Sequence, residues 1–508
     1  MRGEGPRGER DGRGHRGAAL ERYQSTEQYS AALRMADVLI EATQEPEQLS
    51  KLWSVRGALI AATDPADEAV VDAFEMALSY DHNAQAALSG LADAYEARGD
   101  WDELNELLEP LTRSTDPSER AAVLRKLASI ARAQGDLEKA AEELLKAVEL
   151  EPSQADLEQL ESLFSDDPDR LPDKLRMSAE LLAYGGDVYQ RALGIVQGLA
   201  SLGDRRSAYS VASLLLRVSR HAPDDREMLH GLRREFERGS QNLDFGEEAR
   251  EALRPPGLND AFFGEVLVPL EMEMADLVQP PRTTKKIMAI SASMSHGKLL
   301  AGLVEALGLE ERTLYRSDGL EDAIQPCSGD TPGIAVRSEV MQRLVHQAGA
   351  FALSSGLEMS WPGRMLLGSM NSERRAELAH ALWAACGLGD APEGPASELA
   401  ERIMDVIDAD DLAEWAELLS GYGEPTEVVE QQYALALRHA QECAAALVGD
   451  LRQTVRAAGL MDPKVPQLKT LATPEALNEA VVSCAPLLQI VARGVRGSVL
   501  LALYNLGA

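Results

Sequence analysis

Hydrophobic residues recur at helical spacing through much of the first half of the chain. Residues 91–111 read LADAYEARGDWDELNELLEPL, and residues 127–147 read LASIARAQGDLEKAAEELLKA. In each segment apolar residues stand three and four positions apart, which is the period of a helix that buries one face. A Gly-Asp pair interrupts each segment, and glycine readily adopts the left-handed conformation that ends many helices. Each segment therefore predicts two helices joined by a tight turn.

The two segments are copies of one unit at an offset of 36 residues. The recurring residues are Leu91, Ala92, Gly99 and Asp100, matched by Leu127, Ala128, Gly135 and Asp136. The aspartate is expected to accept a hydrogen bond from the first turn of the following helix. A partial copy at residues 67–83 precedes them at an offset of 70, and a weaker copy follows at residues 198–225. Together they predict a helical repeat domain over residues 21–250.

This pattern resembles the tetratricopeptide repeat (TPR) family, whose helix pairs stack into a solenoid. The family pattern places large and small apolar residues at set positions and a proline after the second helix. The matching positions are Leu88, Leu91, Ala92, Tyr95, Leu104, Leu108 and Leu111 in the first unit, and Leu124, Leu127, Ala128, Ala131, Ala140, Leu144, Ala147 and Pro152 in the second, with Gly99 and Gly135 at the turns. The resemblance implies a concave face that holds a peptide or protein segment.

Two further interpretations of the repeat stay open. The helix pairs can be generic hairpins that form no binding groove. The acidic stretch at residues 136–169 would favour a basic partner if it lined a groove, and an outer surface exposed to water explains the same charges.

The hydrophobic pattern changes near residue 250. Pro-Pro pairs interrupt the helical period at residues 255–256 and 280–281. Three short apolar runs then have the length and the Gly, Pro, Ser or Asp boundaries of strands, at residues 287–293, 312–317 and 333–338. After the third run the helical period returns and continues almost to the last residue. We therefore predict a mainly α protein, in which the TPR-like solenoid is followed by an α+β domain over residues 251–508.

A predicted strand leads into an apolar helix at residues 337–356. This order of elements resembles the gluzincin metallopeptidases, whose active helix carries HExxH, with two zinc-binding histidines and a glutamate that activates water. The corresponding window here begins at His346. Gln347 replaces the general base, and Ala350 replaces the second histidine. Because an amide cannot take a proton from water, the resemblance implies a catalytically inactive site.

The same family supplies its third zinc ligand, a glutamate, from a later helix, and an aspartate follows four residues on. These positions fall on Leu437 and Gln441 in this chain, and neither keeps the family's chemistry. The resemblance extends over residues 255–460. This part of the chain also resembles the divergent peptidase-like domain that ends many large TPR proteins of myxobacteria and related bacteria. The resemblance implies no catalytic residue, no bound metal and no cofactor.

Composition and charge narrow the range of partners. The 508 residues include 83 acidic and 50 basic side chains, for a formal net charge of −33. This charge repels phosphate backbones and anionic lipid surfaces, so neither nucleic acid nor a membrane is an expected partner. The four cysteines lie far apart without a CxxC pair, which is typical of thiols in a reducing cytoplasm. Residues 1–20 are rich in Gly and Arg, contain no apolar signal segment, and are predicted to be a disordered tail.

These features predict a cytoplasmic, non-enzymatic interaction or scaffold protein. Its TPR-like groove would bind a protein or peptide, and its inactive peptidase-like domain would serve as a structural or binding module. Two alternatives stay open. One is a hydrolase of altered design that uses His346, and the other is a self-packed assembly protein with no exposed groove. The sequence names neither the partner nor the oligomeric state.

Overall fold

The structure is a computed structural model of the 508-residue chain. It describes residues 22–23, 28–113, 116–165, 167–218, 223–238, 245–278, 288–291, 293–317, 320, 322–327, 332–342, 347–389 and 392–506. The predicted tail at residues 1–20 lies outside these ranges. The described chain is mainly α with one small sheet, as the hydrophobic pattern predicts. It divides into two compact units, Met1–Asp156 and Leu157–Ala508.

The described part of the first unit is helical. Its helices are α1 (Tyr29–Ala42), α2 (Pro46–Ala61), α3 (Glu68–Tyr80), α4 (Gln85–Arg98), α5 (Trp101–Leu108), α6 (Pro117–Ala133) and α7 (Leu137–Leu150), and the boundary between units falls within α8 (Gln154–Leu163). Each helix from α1 to α6 packs on the next one. In addition, α2 contacts α4, so two alternate helices lie side by side.

The repeat positions form the buried face of these helices. Buried repeat residues are Leu91, Ala92, Leu104 and Leu108 in the first unit of the repeat and Ala128, Ala140, Leu144 and Ala147 in the second. The partial copy at an offset of 70 follows the same rule, because Val70, Phe74 and Ala77 are buried like their counterparts. Tyr95 and Leu127 are half-buried. The period thus predicts which side of each helix faces the interior.

The predicted left-handed backbone is confirmed at both glycines, and the predicted helix cap is confirmed at one of the two aspartates. Gly99 and Gly135 have φ values of 76° and 82°, which most side chains disfavour. Asp136 accepts the backbone N–H of Lys139 at 3.0 Å and so caps α7. Asp100 does not cap α5, because its carboxylate pairs with Arg98 at 2.6 Å instead. Pro152 lies two residues after Leu150, the last residue of α7, and a proline at such a position prevents the helix from continuing.

The second unit contains the remaining helices and the sheet. Its helices are α9 (Leu171–Leu181), α10 (Val188–Ser201), α11 (Arg205–Val218), α12 (Pro223–Arg238), α13 (Glu247–Ala252), α14 (Val268–Glu273), α15 (Ser295–Ala306), α16 (Ser338–Met341), α17 (Gln347–Glu358), α18 (Arg364–Gly368), α19 (Ser372–Ala385), α20 (Pro395–Val406), α21 (Ala409–Leu419), α22 (Pro425–Val448), α23 (Leu451–Met461), α24 (Pro474–Ser483) and α25 (Ala485–Leu506). A π-helical segment, Phe262–Leu267, leads directly into α14.

The sheet has the strand order β1-β2-β4-β3, from β1 (Met288–Ala289), β2 (Thr313–Ser317), β3 (Ile324–Cys327) and β4 (Gly333–Arg337). The central pair β2 and β4 is parallel, with Leu314 opposite Ile334, and both outer pairs are antiparallel. The predictions for β2 and β4 are confirmed, whereas β1 is shorter than the predicted run. Strand β3 was not predicted, and it contains Pro326, a residue that strands disfavour. A proline is tolerated there since β3 is an edge strand.

The predicted boundary at residue 250 does not coincide with the division between units. Helices α9 to α11 share one hydrophobic core with α22 to α25. Its buried members include Leu182, Tyr189, Val211, Leu215, Ala444, Val455, Leu487, Val495 and Val499. Residues 157–250 therefore belong to the same compact unit as the C-terminal helices. The Pro-Pro break at residues 255–256 marks a change of local structure inside this unit.

Candidate functional site

A groove of about 710 Å³ lies on the first unit between α2 and α4. Its walls carry mostly small side chains. They include Ser54, Val55, Ala58 and Ala61 from α2 and Ala86, Ser89, Gly90 and Ala94 from α4. Small residues leave room between two helices that would otherwise interlock, and the volume falls within the range of ligand pockets, about 300 to 1,000 Å³.

Phe74, from the intervening helix α3, forms the floor of this groove and is 2% exposed. Its ring lies against two glycines, one from each wall. A Cβ added at Gly57 would lie 2.8 Å from the ring, and one added at Gly90 would overlap the ring. The repeat pattern identifies Phe74 as a core position but not the two glycines. Glycines within an otherwise helical pattern, 33 residues apart here, are the signal that could have found them.

The rim of the groove is polar and carries few charges. Lys51, Asp81 and Asp93 line it, so its formal charge is −1. Asp93 lies 3.5 Å from Lys126 of α6, and this carboxylate is 72% exposed. The buried Ser50 hydroxyl has no hydrogen-bond partner among the described residues. The groove thus offers an apolar floor, an acidic rim and one unsatisfied hydroxyl.

Tyr95 of the repeat signature joins α4 to α3 beside this groove. Its hydroxyl donates to the Glu75 carboxylate at 3.2 Å. Burial and the nearby Glu75 charge raise the pKa of Tyr95 to about 12, so the phenol stays neutral. The residue at this position of the family pattern therefore makes a contact between the neighbouring helices α3 and α4.

The positions of the predicted degenerate site are distributed over two contacting helices, α17 and α22. His346 lies outside the described residues. Gln347 begins α17, and Ala350 is half-buried in the same helix. On α22, Leu437 is half-buried against other apolar side chains, and Gln441 accepts a hydrogen bond from Arg493. The described residues contain no group of three or more His, Cys, Asp or Glu side chains placed to hold a metal ion.

A buried polar cluster lies near these helices and was not predicted. Arg250 donates to Glu358 at 3.0 Å, and its carbonyl accepts His439 Nε2–H at 2.8 Å. His439 Nδ1 accepts from Arg364 at 3.1 Å. Burial, assisted by the Arg364 charge, lowers the pKa of His439 to about 3. The imidazole is therefore neutral and has both nitrogens occupied, which leaves it no free position for a metal or a proton transfer.

A second buried cluster is a closed ring of two carboxylates and two guanidinium groups. Arg438 lies 2.8 Å from Glu442 and 2.9 Å from Glu180, and Arg496 pairs with the same two carboxylates. Glu442 is fully buried, and the Arg496 side chain is 7% exposed. Although burial opposes it, Arg496 and Arg438 hold the pKa of Glu180 below its ordinary value. This ring, the ion-pair quartet, joins α9, α22 and α25.

A further buried acid, Glu271, lies outside both clusters and affects how the stability of the fold depends on pH. One oxygen of its carboxylate accepts the backbone N–H groups of Gly363 and Leu366 at 3.0 and 3.1 Å. Burial nevertheless raises the pKa of Glu271 to about 7. A carboxyl group whose pKa is raised on folding stabilises the fold below its unfolded pKa, and this contribution is lost as the pH rises through 7.

We expect Glu271→Gln to raise the free energy of unfolding more at pH 8 than at pH 5. Glutamine can accept the same two N–H groups without becoming charged, so it should remove about 2 kcal/mol of desolvation cost that is present only at high pH. Urea denaturation at both pH values measures this difference. Glu273→Gln, at an exposed position of the same helix, is the control and should show no such pH dependence. Equal effects of Glu271→Gln at the two pH values would contradict the prediction.

No protein-family model matches this chain, and no curated protein matches it either. Among the described helices, α25 alone is long and apolar enough to cross a membrane by length and composition. The most apolar window of α25 is 78% buried inside the protein, as in the core helix of a globular unit.

Proposed function

We propose that the first unit binds a short peptide segment of a partner protein in the groove between α2 and α4. The observation that carries this proposal is the groove itself, about 710 Å³ in volume and built over Phe74. The side-by-side packing of α2 and α4 is what a TPR-like solenoid requires of its concave face. The buried repeat residues Leu91 and Ala92 of α4 support that arrangement.

The chemistry of the groove defines the kind of peptide. The walls of alanine and serine admit small or medium apolar side chains, which would bury against Phe74 and Val55. Asp81 and Asp93 on the rim favour a lysine or arginine next to the apolar residues. The chain's net charge of −33 would draw a basic segment towards the protein from a distance.

The second unit would act in this scheme as a binding or structural module without catalysis. Gln347, Ala350, Leu437 and Gln441 supply neither a general base nor a zinc ligand at the positions that the gluzincin resemblance assigns. The contact between α17 and α22 is consistent with the order of elements in that family. The inactive peptidase-like domain therefore remains our interpretation of this unit.

Selection of a displayed random-peptide library on the full-length protein tests the proposal. We expect enriched peptides with small apolar residues beside a basic residue. Ser89→Trp places a large ring in the groove and should weaken binding of these peptides at least tenfold, about 1.4 kcal/mol. Fluorescence anisotropy with labelled peptides measures the affinity.

The matched control is Ser79→Trp, the same substitution at an exposed position of α3 that does not line the groove. It should leave the affinity within a factor of two. Circular dichroism of both variants verifies that the helices remain folded. The proposal fails if no peptide is enriched, or if the enriched peptides bind Ser89→Trp as tightly as the wild type.

A further inference from the structure

We propose that a pocket of the second unit, formed by α11, α23 and the turn at Leu468–Thr470, binds a small organic polyphosphate of nucleotide size. The pocket has a volume of about 520 Å³. Its basic residues are Arg217, Arg452, Arg456 and Lys469. This proposal is independent of the peptide groove, which belongs to the other unit.

The charge of this pocket is opposite to that of the chain. Acidic residues outnumber basic ones by 83 to 50, yet four basic residues and no described acidic residue line the pocket. Arg452 and Arg456 stand four residues apart on α23, where like charges repel each other. The fold offsets this repulsion only through Asp450, which lies 3.4 Å from Arg452, and a bound anion would offset it further.

The guanidinium groups keep unused hydrogen-bonding capacity. Arg217 Nη1 and Arg452 Nε are buried and have no hydrogen-bond partner among the described residues, so these two groups would reach an anion only after a change of side-chain rotamer. Arg452 Nη2 lies 3.4 Å from Asp450 Oδ2, which is a long contact, and the other oxygen of that carboxylate accepts the backbone N–H of Gln453 at 3.1 Å. Guanidinium groups bind phosphate oxygens through paired N–H donors, so available arginines around a cavity favour this class of anion.

The size and lining of the pocket favour an organic ligand over a single inorganic ion. The rest of the lining consists of Gly459, Leu460, Leu468 and the polar side chains of Gln453 and Gln467. A volume of about 520 Å³ is typical of small-molecule sites and exceeds what one phosphate fills. A ligand with several phosphates would neutralise the four cations, and its organic part would lie against the leucines. A nucleic-acid strand is disfavoured, because the surrounding charge of −33 repels an extended polyanion.

Isothermal titration of the full-length protein with ATP, inorganic triphosphate and inorganic phosphate at 150 mM salt (a roughly physiological ionic strength) tests this site. We expect saturable binding of one ATP per chain. Arg456→Gln, at an exposed position of the pocket, should weaken it at least tenfold. Arg402→Gln removes the same charge from an exposed arginine outside the pocket, paired with Asp276, and should change the affinity less than twofold.

The three ligands distinguish recognition of the phosphate chain from recognition of the organic part. Triphosphate binding with the same sensitivity to Arg456→Gln supports the site and assigns recognition to the phosphate chain. Tighter binding of ATP than of triphosphate supports a contribution from the organic part at the leucines. The proposal is overturned if neither ATP nor triphosphate binds saturably, if inorganic phosphate binds as tightly as both, or if Arg402→Gln weakens binding as much as Arg456→Gln.

Discussion

Replacing Arg496 by methionine is expected to lower the free energy of unfolding by about 3 to 5 kcal/mol. Arg496 pairs with Glu180 and Glu442 in the ion-pair quartet. Without it, two carboxylates share Arg438, and an uncompensated negative charge remains buried among α9, α22 and α25. Removing one partner of a buried ion pair is costly because the remaining charge cannot regain its hydration. Urea denaturation followed by tryptophan fluorescence measures the loss.

Two further variants distinguish the cost of a buried unpaired charge from the cost of losing an ion pair of any kind. Arg402→Met removes the exposed pair with Asp276, whose side chains are 49% and 60% exposed, and should cost less than about 1 kcal/mol. Adding Glu442→Gln to Arg496→Met restores the charge balance and should recover part of the stability. A double variant less stable than Arg496→Met would show that the penalty comes from lost packing and not from unpaired charge.

Replacing Gly497 by alanine is expected to cost about 3 kcal/mol, although alanine is the better helix former. Gly497 lies within α25 and faces the backbone of α22. A Cβ at this position would lie 2.6 Å from the carbonyl oxygen of Glu442, and backbone cannot rotate away as a side chain can. The helices must therefore separate, which would also stretch the ion-pair quartet. The same denaturation experiment measures the cost.

Gly302→Ala is the matched control for this prediction. Gly302 lies within α15, and a Cβ added there would meet no atom within 4 Å. Alanine at this position should raise stability by about 0.5 to 1 kcal/mol, because glycine loses more backbone entropy on folding. If Gly497→Ala also stabilised the protein, α22 and α25 would be able to separate at little cost. That result would contradict the prediction.

The sequence by itself determined the local structure of this protein to a large extent. The period of apolar residues predicted the helices of the first unit and their buried faces, including Ala92, Leu104 and Ala140. The strands β2 and β4 were evident from short apolar runs with clear boundaries. The left-handed glycines Gly99 and Gly135 followed from their place between helices. Such features depend on residues a few positions apart, so one chain contains the information needed to predict them.

Only the tertiary structure decided which helices pack together and where charges meet. Glu180 and Arg496 are 316 residues apart in sequence, and nothing near either residue identifies the other as its partner. The groove likewise depends on Phe74 of α3 fitting against Gly57 and Gly90 of two different helices. The strand with Pro326 formed because its place at the edge of the sheet tolerates a proline.

Long-range packing also explains the boundary between the units and the basic pocket lined by Arg217, Arg452, Arg456 and Lys469. Helices α9 to α11 continue the helical period of the first unit, yet their apolar faces are buried against α22 to α25. Arg217 joins Arg452 and Lys469 in one pocket only after α11 and α23 have packed. Periodicity specifies that a face is buried but not which surface buries it, because that choice is made by long-range packing, which the local pattern does not encode.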